Sequence, residues 1–495
     1  MTHGIELCDA NFQAALSEGD EPRLIRVVGQ GDTDRWPGYA LNDGRNYLLG
    51  QPAEDAWFIQ PRNVVHTFWS KLNHDATNLA VTPRPPSFSE VAYLFLKDFT
   101  QRLAKTSPGA ERMVLAVPGV YLKDADTEDE KVGLLLGMAA DLKLPLSGVI
   151  DMAIASLCDP RAPRFNPARP VIHLDLHLHA AEISLLVSNA RLERRALLHL
   201  PQFGVAELLK HLTSTMGNRF LRQTSFDVME DGRIEQIFYN QTKTLLTGGE
   251  PDFVYHLNTA KRGYEMHVKR ESLIGDSNAF VESLVQSLLK FIQAQGLSPA
   301  LCVAALTERS AWLQQLEPRL RSAGFVRFIH LPPGAAAAGA ANIGAVRMAV
   351  PKDISDVPVM TSVPSELSSN RVAHHWEVHL QKLRTATAAA RPRPTHAVLE
   401  GVGVPLIARD QFKIGAQGLA ANLPLPDTFN QATDCSVVLR HEGQHWWFTD
   451  PAPADNGQHP RIELESGDRL VFRCGTHTAK VLFAHCGPAS EPAPR

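Results

Sequence analysis

The sequence has no apolar run long enough to cross a bilayer, which excludes an integral helical membrane protein. It has no basic surplus either. Its 49 Lys and Arg stand against 53 Asp and Glu, a net charge of -4, so neither nucleic acid nor an acidic lipid surface is indicated as a partner. Cysteine is scarce. Cys8, Cys158, Cys302, Cys435, Cys474 and Cys486 form no disulfide framework, and a reducing cytoplasm is the expected compartment. The opening "MTHGIELCDANF" has neither the basic start nor the apolar core of a secretory signal. No internal repeat of solenoid type is present. What remains is a chain of 495 residues, 44% hydrophobic and 21% charged, with the composition of an ordinary globular protein of more than one domain.

Local patterns divide it. Residues 4–16 ("GIELCDANFQAAL") and 38–50 ("GYALNDGRNYLLG", turning at Asn42-Asp43-Gly44) read as hairpins. Apolar residues recur at helical spacing over 88–105, with Ser87 or Ser89 as cap. A helix is expected over 128–143, with Thr127 and Glu130 as a capping box. Residues 171–200 read as a β-hairpin or meander, and 204–216 and 280–296 as helices. "ALCVAAL" (300–306) and "FVRFIHLPP" (325–333) are strands on either side of a helix ending at Gly324. The Ala/Gly-rich "GAAAAGAANIGAV" (334–346) reads as a helix packed closely on a sheet. Residues 351–396 read as a linker containing a short helix over 371–386. From 397 to 487, short strands with turn signals imply a small β-sandwich, and 488–495 a disordered tail.

The stretch "HLDLHLHAAE" places His173, Asp175, His177 and His179 at alternate positions, hence on one face of a strand. Three readings stay open. His-x-His beside a carboxylate suits zinc, although positions two apart on a strand lie about 6.6–7 Å apart, so neighbouring pairs can share a metal and all four cannot. An anion or nucleotide site could use the imidazoles as donors. A polar turn without a ligand is the third. Cys474-x-x-His477 has a zinc-like spacing, whereas His485-Cys486 puts strand neighbours on opposite faces. Around His441, His445, Trp446 and Trp447 a strand is expected with one Trp buried and the other at a partner surface. No Ser/His/Asp or Cys/His triad stands out.

Several stretches, in order along residues 1–350, resemble the nucleotide-binding domain of the heat-shock chaperone and actin superfamily. "GIELCDANFQAAL" is similar to its first phosphate hairpin. "WPGYALNDGRNYLLGQPAEDAWFIQPRNVVHTFWSKL" is similar to the stretch that follows, and "LAVPGVYLKDADTEDEKVGLLLGMAADLKLPLSGVIDMAIASL" to the connecting segment. "VIHLDLHLHAAEISLL" sits where the second phosphate hairpin belongs, and "PPGAAAAGAANIGAV" resembles the last Ala/Gly-rich helix. The resemblance implies an α/β protein with a two-lobed, actin-like (ribonuclease H-like) ATPase fold. It implies ATP and Mg²⁺ as ligands. Glu6, Asp9, Asn11, Lys71, Asp175, His177 and His179 would line the nucleotide, Asp151 and Asp175 would be the catalytic carboxylates if the protein is active, and Asp175 would hold Mg²⁺ through water. The chain departs from the family where phosphate is cradled. Glycine there lets backbone N–H groups approach phosphate oxygens. Here Cys8 replaces one glycine, His177, Leu178 and His179 replace three more, and "VAALTERS" (303–310) lacks a Gly-Gly pair. Asp151 is one methylene shorter than the usual Glu, and Lys71 falls two places from the family's lysine.

The C-terminal strands resemble a forkhead-associated domain. The cues are Ile414-Gly415, the "LPLPD" loop, "WWFTD" and "LESGDRLVF". Ala416 stands where an Arg reads phosphothreonine, and "TDCSVVL" (433–439) replaces the Ser-Arg-x-His turn, so no charge-assisted phosphate clamp is expected. Together the two resemblances imply a chaperone-like binding or assembly (scaffold) protein. Its nucleotide hydrolysis would be weak or lost, making it a degenerate or pseudo-ATPase, and its sandwich would recruit a protein partner. The alternative is an active chaperone-type or filament-forming ATPase with a remodelled phosphate site. A zinc hydrolase centred on His177 and His179 is the third class.

Overall fold

The alternation at the start of the chain folds as its pattern dictates: strand Thr2–Glu6 turns at residues 7–12 and pairs antiparallel with Gln13–Ser17. The computed structural model describes all residues except 19–21, 80–83, 164, 166–168, 249, 260–261, 368–375, 383–392, 407–409, 416–420, 427–435, 443–444, 450–460, 475–476 and 486–495. Two compact units are present, Met1–Arg371 and Val372–Arg495.

The first unit is mixed α/β, with two six-stranded sheets of the same construction. In the first sheet, Thr2–Glu6, Gln13–Ser17 and Arg23–Ile25 form an antiparallel meander. Arg112–Val117 and then Leu146–Asp151 add parallel on the side of Thr2–Glu6. In the second sheet, Val171–Leu176, Ala181–Ser188 and Arg191–Leu200 form the meander. Val303–Leu306 and Phe328–His330 add parallel in the same way. Near the end of the unit the chain visits both sheets. Val359–Met360 pairs with Leu146–Asp151 at one edge of the first, and Ser362–Pro364 pairs with Arg191–Leu200 at an edge of the second, with only Thr361 between.

Sequence-local chemistry explains the helices that cover these sheets. Helix Phe88–Thr106 starts at Ser87, whose Oγ accepts from Glu90 N at 3.1 Å while Glu90 Oε2 accepts from Ser87 N at 2.6 Å, a closed capping box. Its buried stripe of Val91, Phe95, Leu96, Phe99 and Leu103 meets Phe12, Trp36 and Trp69. The next helix, Ala125–Asp141, begins three residues before the expected 128. Asp124 is its cap, accepting from Thr127 N at 2.9 Å, and Thr127 lies inside the first turn. Helix Ala335–Arg347 lies against Thr2–Glu6 and against helix Met152–Leu157. A Cβ on Gly4 would sit 2.0 Å from Ala337 O, and one on Gly339 would sit 1.7 Å from Ala155 O. The small side chains of this stretch therefore set the backbone separation. Residues 217–279, which carry little sequence signal, extend helix Val205–Thr224 and add helix Gly232–Thr247 and the hairpin Asp252–Asn258/Gly263–Lys269.

In the second unit two five-stranded sheets enclose one core that includes Phe412, Ile414, Leu439, Trp446, Phe448, Phe472 and Phe483. Trp446 is buried, and Trp447 carries the Arg461 guanidinium 5.2 Å from its ring centre. The helix expected over 371–386 is not formed at its centre. Trp376–Gln381 is a strand, antiparallel to Arg469–Cys474, so the β unit begins ahead of 397. The reason is a period of two: Val378 is buried and Leu380 packs on the same core, which a helix could not achieve with this spacing. Among the described residues of 351–396, helical turns are confined to Ile354–Asp356 and Ser365–Leu367. Ala416, residues 433–435, Cys486 and the tail 488–495 lie outside the described residues. No helix of the described residues is long and apolar enough to cross a membrane.

Candidate functional site

The first hairpin of each sheet aims its turn at the other. The second turn is tight: His177 N donates to Ala180 O at 2.8 Å. Leu178 N donates to Asp9 Oδ1 of the first turn at 2.7 Å. The start of helix Val205–Thr224 docks on the same turn, with Val205 N on His177 O at 3.0 Å and Ala206 N on Leu178 O at 2.9 Å. Gly204 permits this approach, because a Cβ there would lie 2.4 Å from Leu178 O and from His179 Cα. Four N–H groups at the second turn and the adjoining helix start, those of His177, Leu178, Val205 and Ala206, are thus engaged with the protein's own backbone and with Asp9.

Five carboxylates, Glu6, Asp9, Asp151, Asp175 and Glu182, are buried around these turns. Two arginines serve three of them. Arg309, itself buried, donates from Nε to Asp175 Oδ1 at 3.0 Å and from Nη2 to Asp175 Oδ2 at 2.7 Å, a bidentate pair. The same Nη2 lies 2.7 Å from Glu6 Oε1, and Thr307 Oγ1 donates to Asp175 Oδ1 at 2.8 Å. Burial alone would raise the Asp175 carboxyl, but the Arg309 guanidinium overrides it and holds the pKa at about 2. For Glu6 burial prevails and the pKa is raised. Asp151 pairs with Arg194 and also caps helix Met152–Leu157, accepting from Ala153 N at 2.9 Å and Ile154 N at 3.2 Å. Burial raises its pKa against the pull of Arg194.

Glu182 accepts from Gly119 N at 2.8 Å and Val120 N at 3.1 Å, and faces His177 Nε2 at 3.6 Å and His199 Nδ1 at 3.4 Å. His177 turns its other nitrogen, Nδ1, to Cys8 Sγ at 3.6 Å and Asp9 Oδ1 at 3.8 Å. Burial would lower its pKa, yet the Cys8 sulfur and the Glu182 carboxylate raise it well above the ordinary imidazole value. Burial pushes the Cys8 thiol up. His173, on the strand Val171–Leu176 that leads into this turn, is lowered to about 4 by burial.

The structure therefore brings together Glu6, Asp9, Asp151, Asp175 and His177. The other sequence candidates lie elsewhere or serve other ends. Asn11 Oδ1 accepts from Trp36 N at 2.8 Å and fixes the exit of the first turn. Lys71 rests its Nζ 4.9 Å from the Phe88 ring centre. His179 stacks on His66, ring centres 4.9 Å apart, shares a 2.9 Å Nε2–Nδ1 contact with it, and meets Glu207 at 3.3 Å. Residues not foreseen are Arg309, Arg194, Glu182 and, as a ligand-type group, Cys8. The one available signal was the "TERS" segment, where a glycine pair had given way to hydrogen-bonding and charged side chains.

The space left between the turns is a cavity of about 80 Å³, lined among others by Asp9, Trp69, Lys131, His177, Glu182 and His199. At about 30 Å³ per water it admits two or three waters, whereas small-molecule pockets run from about 300 to 1,000 Å³. A groove of about 1160 Å³ lies between helices Phe88–Thr106 and Ala125–Asp141, where Glu90, Asp129, Glu130 and Asp141 outnumber Arg84, itself paired with Glu90, a net acidic lining that disfavours a triphosphate. Among the described residues, two triads have ligand atoms within 4.8 Å of one another: Glu6, Cys8 and Asp175, and Cys8, Asp9 and His177. The carboxylates of the first are held by Arg309. No protein-family model matches this chain, and no curated protein matches its sequence.

Proposed function

We propose that the protein is a chaperone-like member of the actin superfamily that acts as a binding or assembly protein, its nucleotide site closed by internal ion pairs. Its β-sandwich would recruit a protein partner without reading phosphate. The actin-like assignment is supported by the repeated sheet order, a meander followed by two parallel strands, joined to the ordered series of resemblances along residues 1–350. The observation that carries the functional reading is Arg309. Its guanidinium is buried between Glu6 and Asp175, where the family would place a hydrated Mg²⁺. A cation in that place neutralises the carboxylates permanently, while a magnesium site needs carboxylate oxygens free for water and metal in near-octahedral geometry. Phosphoryl transfer depends on that metal and on phosphate-positioning donors, and the N–H groups of His177, Leu178, Val205 and Ala206 are engaged within the protein. Calorimetric titration of the full chain with Mg-ATP tests the reading. No binding at micromolar protein is expected, and sub-micromolar binding with measurable turnover would overturn it.

A further inference from the structure

Of the two ligand-type triads among the described residues, the one formed by Cys8, Asp9 and His177 has no arginine on its carboxylate. We propose that Cys8, Asp9 and His177 form a three-ligand site for a divalent cation of the zinc class, with the adjoining cavity supplying room for a water as fourth ligand. A tetrahedral zinc bound at about 2.3 Å to sulfur and about 2.0–2.1 Å to nitrogen holds those two atoms about 3.5 Å apart. Cys8 Sγ and His177 Nδ1 are 3.6 Å apart. The nitrogen–oxygen separation in the same geometry is about 3.4 Å, and Asp9 Oδ1 lies 3.8 Å from His177 Nδ1, within a small side-chain rotation of the required place.

The surroundings are those of a metal ligand set. A metal-bound imidazole characteristically directs its second nitrogen to a carboxylate that fixes its tautomer. His177 Nε2 faces Glu182 Oε2 at 3.6 Å, and Glu182 is itself held by Gly119 N and Val120 N. Asp9 is braced by Leu178 N. The cavity of about 80 Å³ has both Asp9 and His177 in its wall. A dication between a thiolate and a carboxylate is neutral, and the nearby Arg309 is turned to Glu6 and Asp175 rather than to these ligands. Thiolate and imidazole are soft and borderline donors that favour zinc over magnesium or calcium. The site is thus chemically distinct from a nucleotide-bound Mg²⁺, and it stands whether or not nucleotide binds elsewhere on the protein. Binding displaces the Cys8 proton and the proton on His177 Nδ1, so affinity falls as pH is lowered.

Cobalt serves as the probe. Titrating Co²⁺ into the chelator-stripped full chain is expected to produce a thiolate-to-cobalt charge-transfer absorption that saturates at one equivalent and is displaced by Zn²⁺. Cys8→Ser abolishes that absorption, while Cys474→Ser and Cys486→Ser leave it unchanged. Glu182→Gln keeps the absorption but weakens affinity by about 10–100-fold, the effect of losing an outer carboxylate. Circular dichroism establishes that each variant is folded, and Asp9→Asn, which leaves the thiol in place, is a second route if Cys8→Ser is not. Absence of the charge-transfer band in the wild type, or its survival in Cys8→Ser, would overturn the proposal. So would an affinity indifferent to both Asp9→Asn and Glu182→Gln.

Discussion

Replacing Arg309 with methionine removes a buried cation and preserves most of its length. Two carboxylates, Glu6 and Asp175, then share the interior with no guanidinium between them, and the remaining cationic group beside Asp175 is His177, whose Nε2 lies 4.0 Å from Asp175 Oδ2. Breaking a buried pair by deleting one partner costs about 3–5 kcal/mol, a large part of the roughly 5–15 kcal/mol available to a domain. The pH dependence identifies the cause. In the wild type, Asp175 titrates at about 2, below its ordinary 3.8. The stability it contributes is therefore present above about pH 4 and is lost as the pH falls toward 2. In the variant the same carboxylate is buried without its guanidinium, keeping Thr307 Oγ1 and the more distant His177, so its pKa is expected above the unfolded value and folding weakens as pH rises past about 4. The deficit relative to wild type should widen from pH 4 to pH 7. Urea denaturation followed by tryptophan fluorescence at both values measures it. The triple variant Glu6→Gln, Asp175→Asn, Arg309→Met, with all three groups neutral, should recover most of the loss. A loss under about 1 kcal/mol at pH 7, or one that does not change with pH, would refute the role given to Arg309.

Gly339→Ala should lower the melting temperature by overpacking the contact with Ala155 O, a cost of about 1–3 kcal/mol or more; an unchanged melt would show that the helix can shift away. Replacing His177 and His179 by glycine should not by itself confer Mg-ATP binding in calorimetry, because Arg309 still neutralises Asp175 and helix Val205–Thr224 still occupies the turn. Binding by that double variant would show that the imidazoles alone close the site. His177 carries a raised pKa, so its contribution is fully present below about pH 6.5 and is lost as pH rises through the folded value. Stability of the metal-free protein should decline on the alkaline side, and His177→Gln should flatten that decline in a pH series of denaturation curves.

Features set by near neighbours were legible in the sequence. The hairpin at 38–50 turns where Asn42-Asp43-Gly44 said it would, with Asp43 Oδ1 accepting from Arg45 N and Asn46 N. Ser87, one of the two candidate caps, is the residue that caps its helix, and the Ala/Gly stretch packs as its small residues require. The errors arose where two local signals competed. Thr127 and Glu130 imitate a capping box, but Asp124 reaches the Thr127 N–H first. The sequence "WEVHLQ" satisfies a helix by composition and a strand by alternation, and a shared core decides for the strand. The site was half visible. Asp175 and His177 are marked by their place in a hairpin, but Arg309 lies 134 residues beyond Asp175 and only the second sheet's parallel pairing of Val303–Leu306 on Val171–Leu176 delivers it. In the sequence Cys8 reads as a replaced glycine, and only the fold sets His177 beside it.

The single residue Thr361 has a mechanical consequence. On one side of it the chain is stitched to the first sheet, on the other to the second, and Thr361 O accepts from Arg194 N at 3.3 Å. Arg194 is the same residue that grips Asp151 and Gly119 O. Swinging one sheet away from the other would tear a short splice and an ion pair at the same moment, with no spare length of chain to absorb the travel.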